Sequence, residues 1–132
     1  MKFVDANIFI YHLASDPKYG KVAKGILSRI QDGEEFAMTS TIVVSQVCSY
    51  LKWKRKTTGI QIFLEFLRSL PDLTKGETTF ADYLDLTTSN GIQAGNWDDI
   101  VIASQMKRLG IDEIYSNDSD FDSIPGIKRV FE

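Results

Sequence analysis

The alternation of short apolar runs with longer amphipathic helices is the feature that most restricts the fold of this sequence. Apolar residues recur at helical spacing in five segments, and short β-type runs lie before, between and after them. The predicted helices cover about residues 18–31, 41–56, 59–70, 78–89 and 97–109, and the predicted strands cover residues 2–5, 35–39, 113–116 and 128–131. Strands separated by such helices need crossover connections, which favour a parallel sheet covered on both faces. We therefore expect an α/β three-layer sandwich with a mainly parallel sheet of four or five strands.

Length and composition favour one domain over residues 1–132, because no linker, repeat or low-complexity tract divides the chain. The single cysteine, Cys48, excludes an internal disulfide framework and a cysteine-rich zinc site, and it fits a reducing compartment. No apolar run approaches the ~18–20 residues of a membrane span, and no basic-then-apolar leader precedes the first strand. The expectation is a soluble, cytoplasmic protein without a membrane partner.

The charge balance does not by itself favour a nucleic-acid partner. The chain has 15 Lys and Arg against 18 Asp and Glu, which gives a formal net charge of −3. Phosphate binding usually shows as clustered cations. A concentrated acidic site can nevertheless hide a basic surface elsewhere, so the positions of the charges matter more than their sum.

Polar side chains stand where the predicted strands end. Asp5 ends the first strand, Ser40 follows the second, and residues 116–120 follow a later one. Ligands of open parallel sheets bind beyond the carboxyl ends of the strands, so these residues are candidates for a functional site. The structural alternative is that an Asp after a strand only caps a helix or forms a turn.

The last predicted helix carries an acid on its core-facing side. Asp99 begins a stripe that continues, at helical spacing, through Ile102, Ala103, Met106 and Leu109. Asp98 instead aligns with Val101, Gln105 and Arg108, on an arc that we expect to be more exposed. Helix capping explains one acid near this helix start, but it does not explain an acid on the buried face.

Asp118 and Asp120 lie one residue apart in the loop after the third predicted strand. This spacing is common in Asx turns, which is the structural alternative. If Asp118 meets Asp5 and Asp99, the three carboxylates repel each other and raise one another's pKa values unless a cation neutralises them. Oxygen ligands without His or Cys select Mg²⁺ or Mn²⁺ over zinc.

Three segments carry a family resemblance. Residues 3–7 (FVDAN), 99–104 (DIVIAS) and 116–121 (SNDSDF) resemble, in the same order, the acidic motifs of PIN-domain nucleases. The resemblance implies a PIN-like fold and a Mg²⁺- or Mn²⁺-dependent endoribonuclease that hydrolyses RNA phosphodiester bonds. Small single-domain members of this kind are VapC-type toxins of type II toxin–antitoxin pairs. The resemblance therefore also implies a small antitoxin partner and a homodimer.

Carried over by position, the resemblance makes Asp5, Asp99 and Asp118 catalytic and metal-site acids, with Asp120 as an accessory metal ligand. The supporting polar residues would be Asn7, Ser40, Gln46 and Ser116. One position departs from the pattern, because the family usually has a Glu where this sequence has Gln46. Glutamine keeps an oxygen donor but lacks the charge, so the metal affinity should be lower.

Two other functions are compatible with parts of the sequence. Gln46 favours a catalytically weak or inactive PIN-like module that binds RNA or a protein partner. A carboxylate after the first strand also suits haloacid-dehalogenase-type phosphatases, but residues 5–9 (DANIF) lack the second acid and the β-branched residue of that motif.

A basic run closes the helix predicted to begin near Thr41. Lys52, Lys54, Arg55 and Lys56 could contact a phosphate backbone while Trp53 stacks on a base. The alternative is a solvated helix end with Trp53 packed inward.

Four other residues are expected to serve packing. His12 is expected to be packed or partly exposed, and Cys48 is expected in the core. Phe80 and Tyr83 are expected in the core by default, although they could instead meet a partner chain.

Overall fold

The computed structural model describes residues 1–88 and 95–132. The strands are β1 (Lys2–Val4), β2 (Ala37–Ser40), β3 (Leu73–Gly76), β4 (Glu113–Tyr115) and β5 (Lys128–Val130). The helices are α1 (Ala6–Leu13), α2 (Gly20–Gln31), α3 (Thr41–Trp53), α4 (Thr57–Arg68), α5 (Phe80–Leu84) and α6 (Trp97–Leu109). Short 3₁₀ helices cover Asp85–Thr88 and Ser119–Ser123. The part of the predicted loop around Asn90 and Gly91 lies outside the described residues.

All five strands are parallel, in the order β3-β2-β1-β4-β5, and this confirms the predicted α/β sandwich. Right-handed crossovers put the helices that connect β1, β2 and β3 on one face and those that lead to β4 on the other. Accordingly, α1 packs on α2, α3 and α4, whereas α5 packs on α6. The order in which strands are added to the sheet therefore reverses between β1 and β4. Open α/β sheets bind ligands at such switch points.

The central strand, β1, is buried because helices cover both faces of the sheet. In β1, Phe3 pairs with Met38 on one side and Ile114 on the other, and all three side chains are buried. The carboxyl end of β1 passes directly into α1, whose N-cap is Asp5. The structure thus assigns the segment after Asp5, which had no predicted element, to a helix.

Strand β3 was not predicted from the sequence. Its four residues, LTKG, show neither alternation nor a continuous apolar run, and only Leu73 is buried. The strand lies at the edge of the sheet, where it pairs with β2 over its full length. Its conformation comes from that neighbour rather than from its own residues, which is typical of short edge strands.

Helix α6 is buried on two sides, so the predicted exposed arc is wrong for part of its length. Val101 and Gln105 are both fully buried. The segment after α5 covers this side, where Leu86 packs with Ile100 and Val101 in a small second cluster. The buried Gln105 amide is satisfied, because its oxygen accepts a bond from the Thr78 hydroxyl (3.2 Å) and its nitrogen donates to the Glu77 carbonyl (3.2 Å).

Several single-residue expectations can be compared with the structure. His12 is half-buried beside Phe66, as expected, and Cys48 is partly buried against the main core. The expectation of core packing is wrong for Phe80, which is 76% exposed, and for Tyr83, which is 39% exposed. Among the described residues, no helix is both long and apolar enough to span a bilayer.

One buried ion pair fastens α5 to α6. The Asp82 side chain is fully buried, and Arg108 donates two hydrogen bonds to it, Nε to Oδ1 at 2.6 Å and Nη2 to Oδ2 at 3.1 Å. Burial works to raise the pKa of Asp82, but the bonds from Arg108 and from the Thr79 backbone amide hold that pKa below its ordinary value. The carboxylate is therefore ionised in the folded protein and depends on Arg108.

We expect Arg108→Met to lower the free energy of unfolding by about 2 kcal/mol, because a buried carboxylate loses its partner. The loss is smaller than the ~3–5 kcal/mol of a fully buried pair, since the Arg108 side chain keeps 32% exposure. Urea unfolding measures it. The control is Arg68→Met, whose partner Glu65 is exposed and whose loss should cost no more than about 0.5 kcal/mol. Equal losses in the two variants would contradict the structural role of Arg108.

Candidate acidic metal site

The pairing of β1 with β4 brings Asp5 next to Ser116. Val4 lies opposite Tyr115 in the sheet, and each strand ends at that pair. The Asp5 amide donates to the Tyr115 carbonyl (3.0 Å), and the Ser116 hydroxyl donates to Asp5 Oδ2 (2.7 Å). The backbone hydrogen bonds of the sheet therefore fix the position of Asp5.

Asn7 joins the two strand ends to the loop after β4. Its amide nitrogen donates to Asp5 Oδ2 (3.2 Å) and to Ser116 Oγ (3.0 Å), and its oxygen accepts a bond from the Asn117 amide (3.2 Å). Ser116 Oγ also accepts a bond from the Asp118 amide (3.0 Å). The predicted supporting residues Asn7 and Ser116 thus hold the polar groups around Asp5 and Asp118.

Helix α6 adds the next carboxylate from the opposite side. Asp99 lies in its first turn and is only 5% exposed, as its place on the core-facing stripe predicted. Asp99, Asp118 and Asp120 each offer a carboxylate oxygen, and these three oxygens lie within 4.8 Å of one another. Asp99 therefore meets two acids of a loop that lies more than fifteen residues later in the sequence.

The loop that carries Asp118 and Asp120 also contains the turn expected from its spacing. Asp118 Oδ1 accepts a bond from the Asp120 amide (2.9 Å) and caps the 3₁₀ helix that follows. Asp120 is held from another side, because the Asn96 amide nitrogen donates to its Oδ2 (3.1 Å). The structural and the functional interpretations of this segment are thus compatible.

Asp5 occupies a different position from the other acids. It lines the same cavity as Asp99 and Asp118, but within the described chain it is not one of the three acids whose oxygens come within 4.8 Å. Both of its oxygens are engaged, Oδ1 by the Ala6 amide (2.8 Å) and Oδ2 by Ser116 and Asn7. Asp5 therefore adds negative charge to the site while its own oxygens accept hydrogen bonds from the Ala6 amide, Ser116 and Asn7.

The acidic cavity formed in this way has a volume of about 550 Å³. Its lining includes Asp5, Asn7, Gln46, Tyr50, Asn96, Trp97, Asp98, Asp99 and Asp118. Sequence reasoning missed Tyr50, Asn96, Trp97 and the cavity position of Asp98. Tyr50 could have been found from its helical spacing of four residues after Gln46, and Asn96 from its place before the first turn of α6.

Burial and neighbouring charges raise the pKa values of Asp5 and Asp99. Burial is the largest cause that raises the pKa of Asp99 to about 8, and the charges of Asp118 and Asp5 raise it further. Burial likewise raises the pKa of Asp5 to about 6, although bonds from Ser116 and the Ala6 amide oppose the shift. Asp99 Oδ2 is buried without a hydrogen-bond partner. The cluster thus requires either a proton or a cation at neutral pH.

Gln46 takes part in the site through its amide. Its nitrogen donates to Asp98 Oδ2 (3.1 Å), whereas its oxygen is buried and has no hydrogen-bond partner. An unpartnered amide oxygen and an unpartnered oxygen of Asp99 therefore belong to the lining of one cavity. Buried polar atoms rarely lack hydrogen-bond partners, so these two oxygens are candidates to bind an ion.

The remaining candidate residues lie away from this cavity lining. Ser40 is buried, and its hydroxyl accepts a bond from Thr78 (3.3 Å). Among the predicted RNA-binding residues, Lys52, Lys54, Arg55 and Lys56 are all exposed. The alternative of an inward-packed Trp53 is wrong, because Trp53 is 75% exposed. Val43, Val47 and Leu51 form the buried stripe of α3, and position 53 lies off that stripe.

An acidic cavity at the switch point of a parallel sheet is the arrangement that the three sequence motifs predicted for a nuclease. The sequence model of the PIN domain matches residues 2–127. The chain therefore belongs to the PIN domain family, and the resemblance drawn from its motifs is confirmed. No curated protein matches the sequence significantly.

Solved structures share this fold at low sequence identity. VapC20 of Mycobacterium tuberculosis, a toxin that cleaves the sarcin–ricin loop, is 15% identical, with a TM-score of 0.73 over 96% of this chain and 98% of that chain. A chain of VapBC2 from Rickettsia felis, bound to a DNA fragment from its promoter, is 18% identical, with a TM-score of 0.72 over 98% and 96%. A chain of a toxin–antitoxin complex from Klebsiella pneumoniae is 17% identical, with a TM-score of 0.63 over 97% and 96%.

The raised pKa values predict that the metal-free protein loses stability as the pH rises. A folded-state pKa above the unfolded value means that the folded state binds more protons, so the free energy of unfolding falls between pH of about 4 and about 8. We expect Asp99→Asn to flatten this dependence and to raise the melting temperature by a few degrees at pH of about 8. Scanning calorimetry in EDTA measures both effects.

One titrating group opposes this effect, and one control variant isolates it. Burial lowers the pKa of His12, which opposes the trend equally in both proteins. Asp112→Asn removes an exposed acid that follows the far end of α6, and it should leave the dependence as it is. A parent protein whose stability rises over the whole pH window would contradict the repulsion among the acids.

Proposed function

We propose that this protein is a Mg²⁺- or Mn²⁺-dependent endoribonuclease that hydrolyses RNA phosphodiester bonds. The observation that carries the proposal is the convergence of Asp99, Asp118 and Asp120 within 4.8 Å, beside the cavity that Asp99 and Asp118 line, with Oδ2 of Asp99 buried and without a hydrogen-bond partner. Mutually repelling carboxylates are costly to maintain unless a cation uses them. Membership of the PIN domain family supports the same chemistry.

The donor set fits a hard divalent ion. The candidate ligands are carboxylate oxygens of Asp99, Asp118 and Asp120. Gln46, whose buried amide oxygen has no hydrogen-bond partner, lines the cavity with Asp99 and Asp118. Neither His nor Cys lines the described cavity, so the site suits Mg²⁺ or Mn²⁺ better than zinc. When bound, such an ion supplies a Lewis acid that polarises the phosphate and lowers the pKa of a water molecule.

The protein's own residues position the substrate and the acids. The Asn7 and Ser116 hydrogen bonds hold Asp5 and the Asp118 loop in place, so the carboxylates need little rearrangement when the substrate binds. Asp5 is the most deeply buried acid of the site, and its pKa of about 6 suits it to accept a proton near neutral pH. We assign Asp5 to proton transfer or to charge balance behind the three nearer carboxylates.

The biological role that we propose is that of a toxin in a type II toxin–antitoxin pair. The structural neighbours include toxin–antitoxin complexes from three bacteria, which supports a small antitoxin as the partner of this chain. A homodimer and a cytoplasmic location, where RNA is accessible, complete the proposal. Exposed apolar side chains such as Phe80 and Leu84 offer surface for such contacts.

The second candidate function is a PIN-like module that binds RNA or a protein without cleaving RNA. The observation that favours it is Gln46, which contributes no charge where the family usually has Glu. Its hydrogen bond to Asp98 shows that the amide is used in the structure. The two candidates differ in whether a divalent ion binds and whether RNA is cut.

We expect Asp99→Asn to reduce Mn²⁺-dependent cleavage of single-stranded RNA more than about 100-fold, because loss of a metal ligand should cost at least as much as loss of its supporting partners. The variant should also lose the rise in melting temperature that Mn²⁺ gives the parent protein. Asp112→Asn is the matched control and should behave as the parent. An uncut RNA and an unchanged melting temperature of the parent in Mn²⁺ would leave only the binding-module function.

We expect Gln46→Glu to strengthen Mn²⁺ binding about tenfold or more, because it adds a carboxylate to the cavity that holds the other acids. Without metal the same variant should melt at a lower temperature, since the new charge faces Asp98, which now accepts a bond from Gln46. The measurement is the melting temperature as a function of Mn²⁺ concentration. Gln61→Glu, on the exposed face of α4, is the control. Identical titrations for all three proteins would show that position 46 has no part in the metal site.

A further inference from the structure

One face of α3 leads from the acidic cavity to a cluster of cations. Gln46 and Tyr50 both line the cavity, and Trp53 and Lys54 continue the same face at helical spacing. Trp53 lies seven positions after Gln46, which corresponds to about 10 Å along the helix axis. The exposed indole therefore lies close to the cavity but outside it.

Trp53, Tyr50 and Lys54 form a contiguous group, which we call the aromatic–basic platform. The ring centroids of Tyr50 and Trp53 are 6.4 Å apart. The Lys54 ammonium lies 4.8 Å from the centre of the Trp53 ring and 5.9 Å from that of Tyr50. With Tyr50 and this ammonium beside it, Trp53 is still 75% exposed, so most of the indole remains accessible to a ligand.

The charged residues of the segment 52–56 are all cations. Lys52, Arg55 and Lys56 are exposed like Lys54, and none of the four cations forms an ion pair within residues 1–88 and 95–132. The acids of the cavity repel phosphate, so a polyanionic substrate needs compensating cations nearby. Residues 52–56 supply these cations close to the cavity, because Tyr50 of the platform is part of the cavity lining.

We propose that the aromatic–basic platform binds single-stranded RNA by stacking a base that flanks the reacting phosphate on Trp53, with Lys54 and its neighbouring cations along the backbone. The proposal rests on the ribonuclease function proposed above and adds the place where the substrate is held. An exposed aromatic ring among cations is the combination with which proteins bind single strands without reading sequence. It makes Trp53 a substrate-positioning residue.

The surroundings of Trp53 favour RNA over a protein partner. Residues 54–58 (KRKTT) are all exposed and polar, so no apolar surface continues from the indole along the chain. A protein interface of stable size needs a dry apolar centre, which these neighbours do not provide. A base needs only the face of one ring.

The test uses Asp99→Asn protein, in which bound RNA should stay intact, and measures its affinity for a short single-stranded RNA. Adding Trp53→Ala should weaken binding about tenfold, whereas Trp53→Phe should restore most of it, because the aromatic face remains. The control is Phe36→Ala. Phe36 is 63% exposed but lies before the amino end of β2, whereas the acids lie beyond the carboxyl ends of the strands.

The salt dependence separates stacking from charge. Lys54→Ala should reduce the slope of log affinity against log salt concentration by about 1, because one phosphate contact is lost. Trp53→Ala should leave that slope unchanged. A reduced slope in Trp53→Ala, or an equal loss of affinity in Phe36→Ala, would contradict stacking on Trp53.

The remaining outcomes distinguish this proposal from the one on which it rests. If the unmodified protein cleaves RNA while Trp53→Ala binds RNA as tightly as the parent, the proposed role of the platform in RNA binding is wrong and the ribonuclease function stands. If Trp53→Ala changes the sedimentation coefficient but not the RNA affinity, the surface binds a second copy of the chain instead. If the parent neither binds nor cleaves RNA, both proposals fail.

Discussion

Electrostatic repulsion between carboxylates is the constraint on which the rest of this site depends. Asp99, Asp118 and Asp120 approach within 4.8 Å, and the charge of Asp5 adds to theirs. A chain in solution would separate these groups, so the folded protein must hold them against a force that favours opening. It does so with elements that cannot yield easily: a buried pair of parallel strands, and a helix that is buried on two sides.

The hydrogen-bond network around Asp5 shows how that position is maintained. Ser116 and Asn7 both donate hydrogen bonds to Asp5, and the Ser116 hydroxyl also accepts one from the Asp118 amide. The positions of Asp5 and of the Asp118 loop are therefore coupled through Ser116. The raised pKa of Asp99 and its unpartnered oxygen show where the compensation is incomplete. A site that is well ordered but electrostatically unsatisfied is prepared for a cation, and this property connects the fold to the function that we propose.

The distribution of charge along α3 explains why a net charge of −3 is compatible with an RNA substrate. Gln46, near the start of the helix, belongs to the acidic cavity, and the other end carries a cluster of exposed cations. Glutamine rather than glutamate at position 46 lowers the negative charge at the junction of these two regions. The helix therefore separates the two electrostatic tasks of a nuclease, which are holding a cation and attracting a polyanion.

The sequence by itself determined the order of most elements, the parallel sheet and the three acidic motifs, because hydrophobic periodicity and strand-end residues are local properties. Only the tertiary structure decided the rest. Strand β3 exists because β2 offers it a pairing edge, and Trp53 is exposed because it lies off the buried stripe of α3. Val101 is buried because Leu86, after α5, packs against it, whereas the buried Gln105 bonds to Thr78 and Glu77, before α5. Likewise, only the fold decided that Asp5 stands behind the other acids, since the direction and partners of a carboxylate depend on residues more than a hundred positions away.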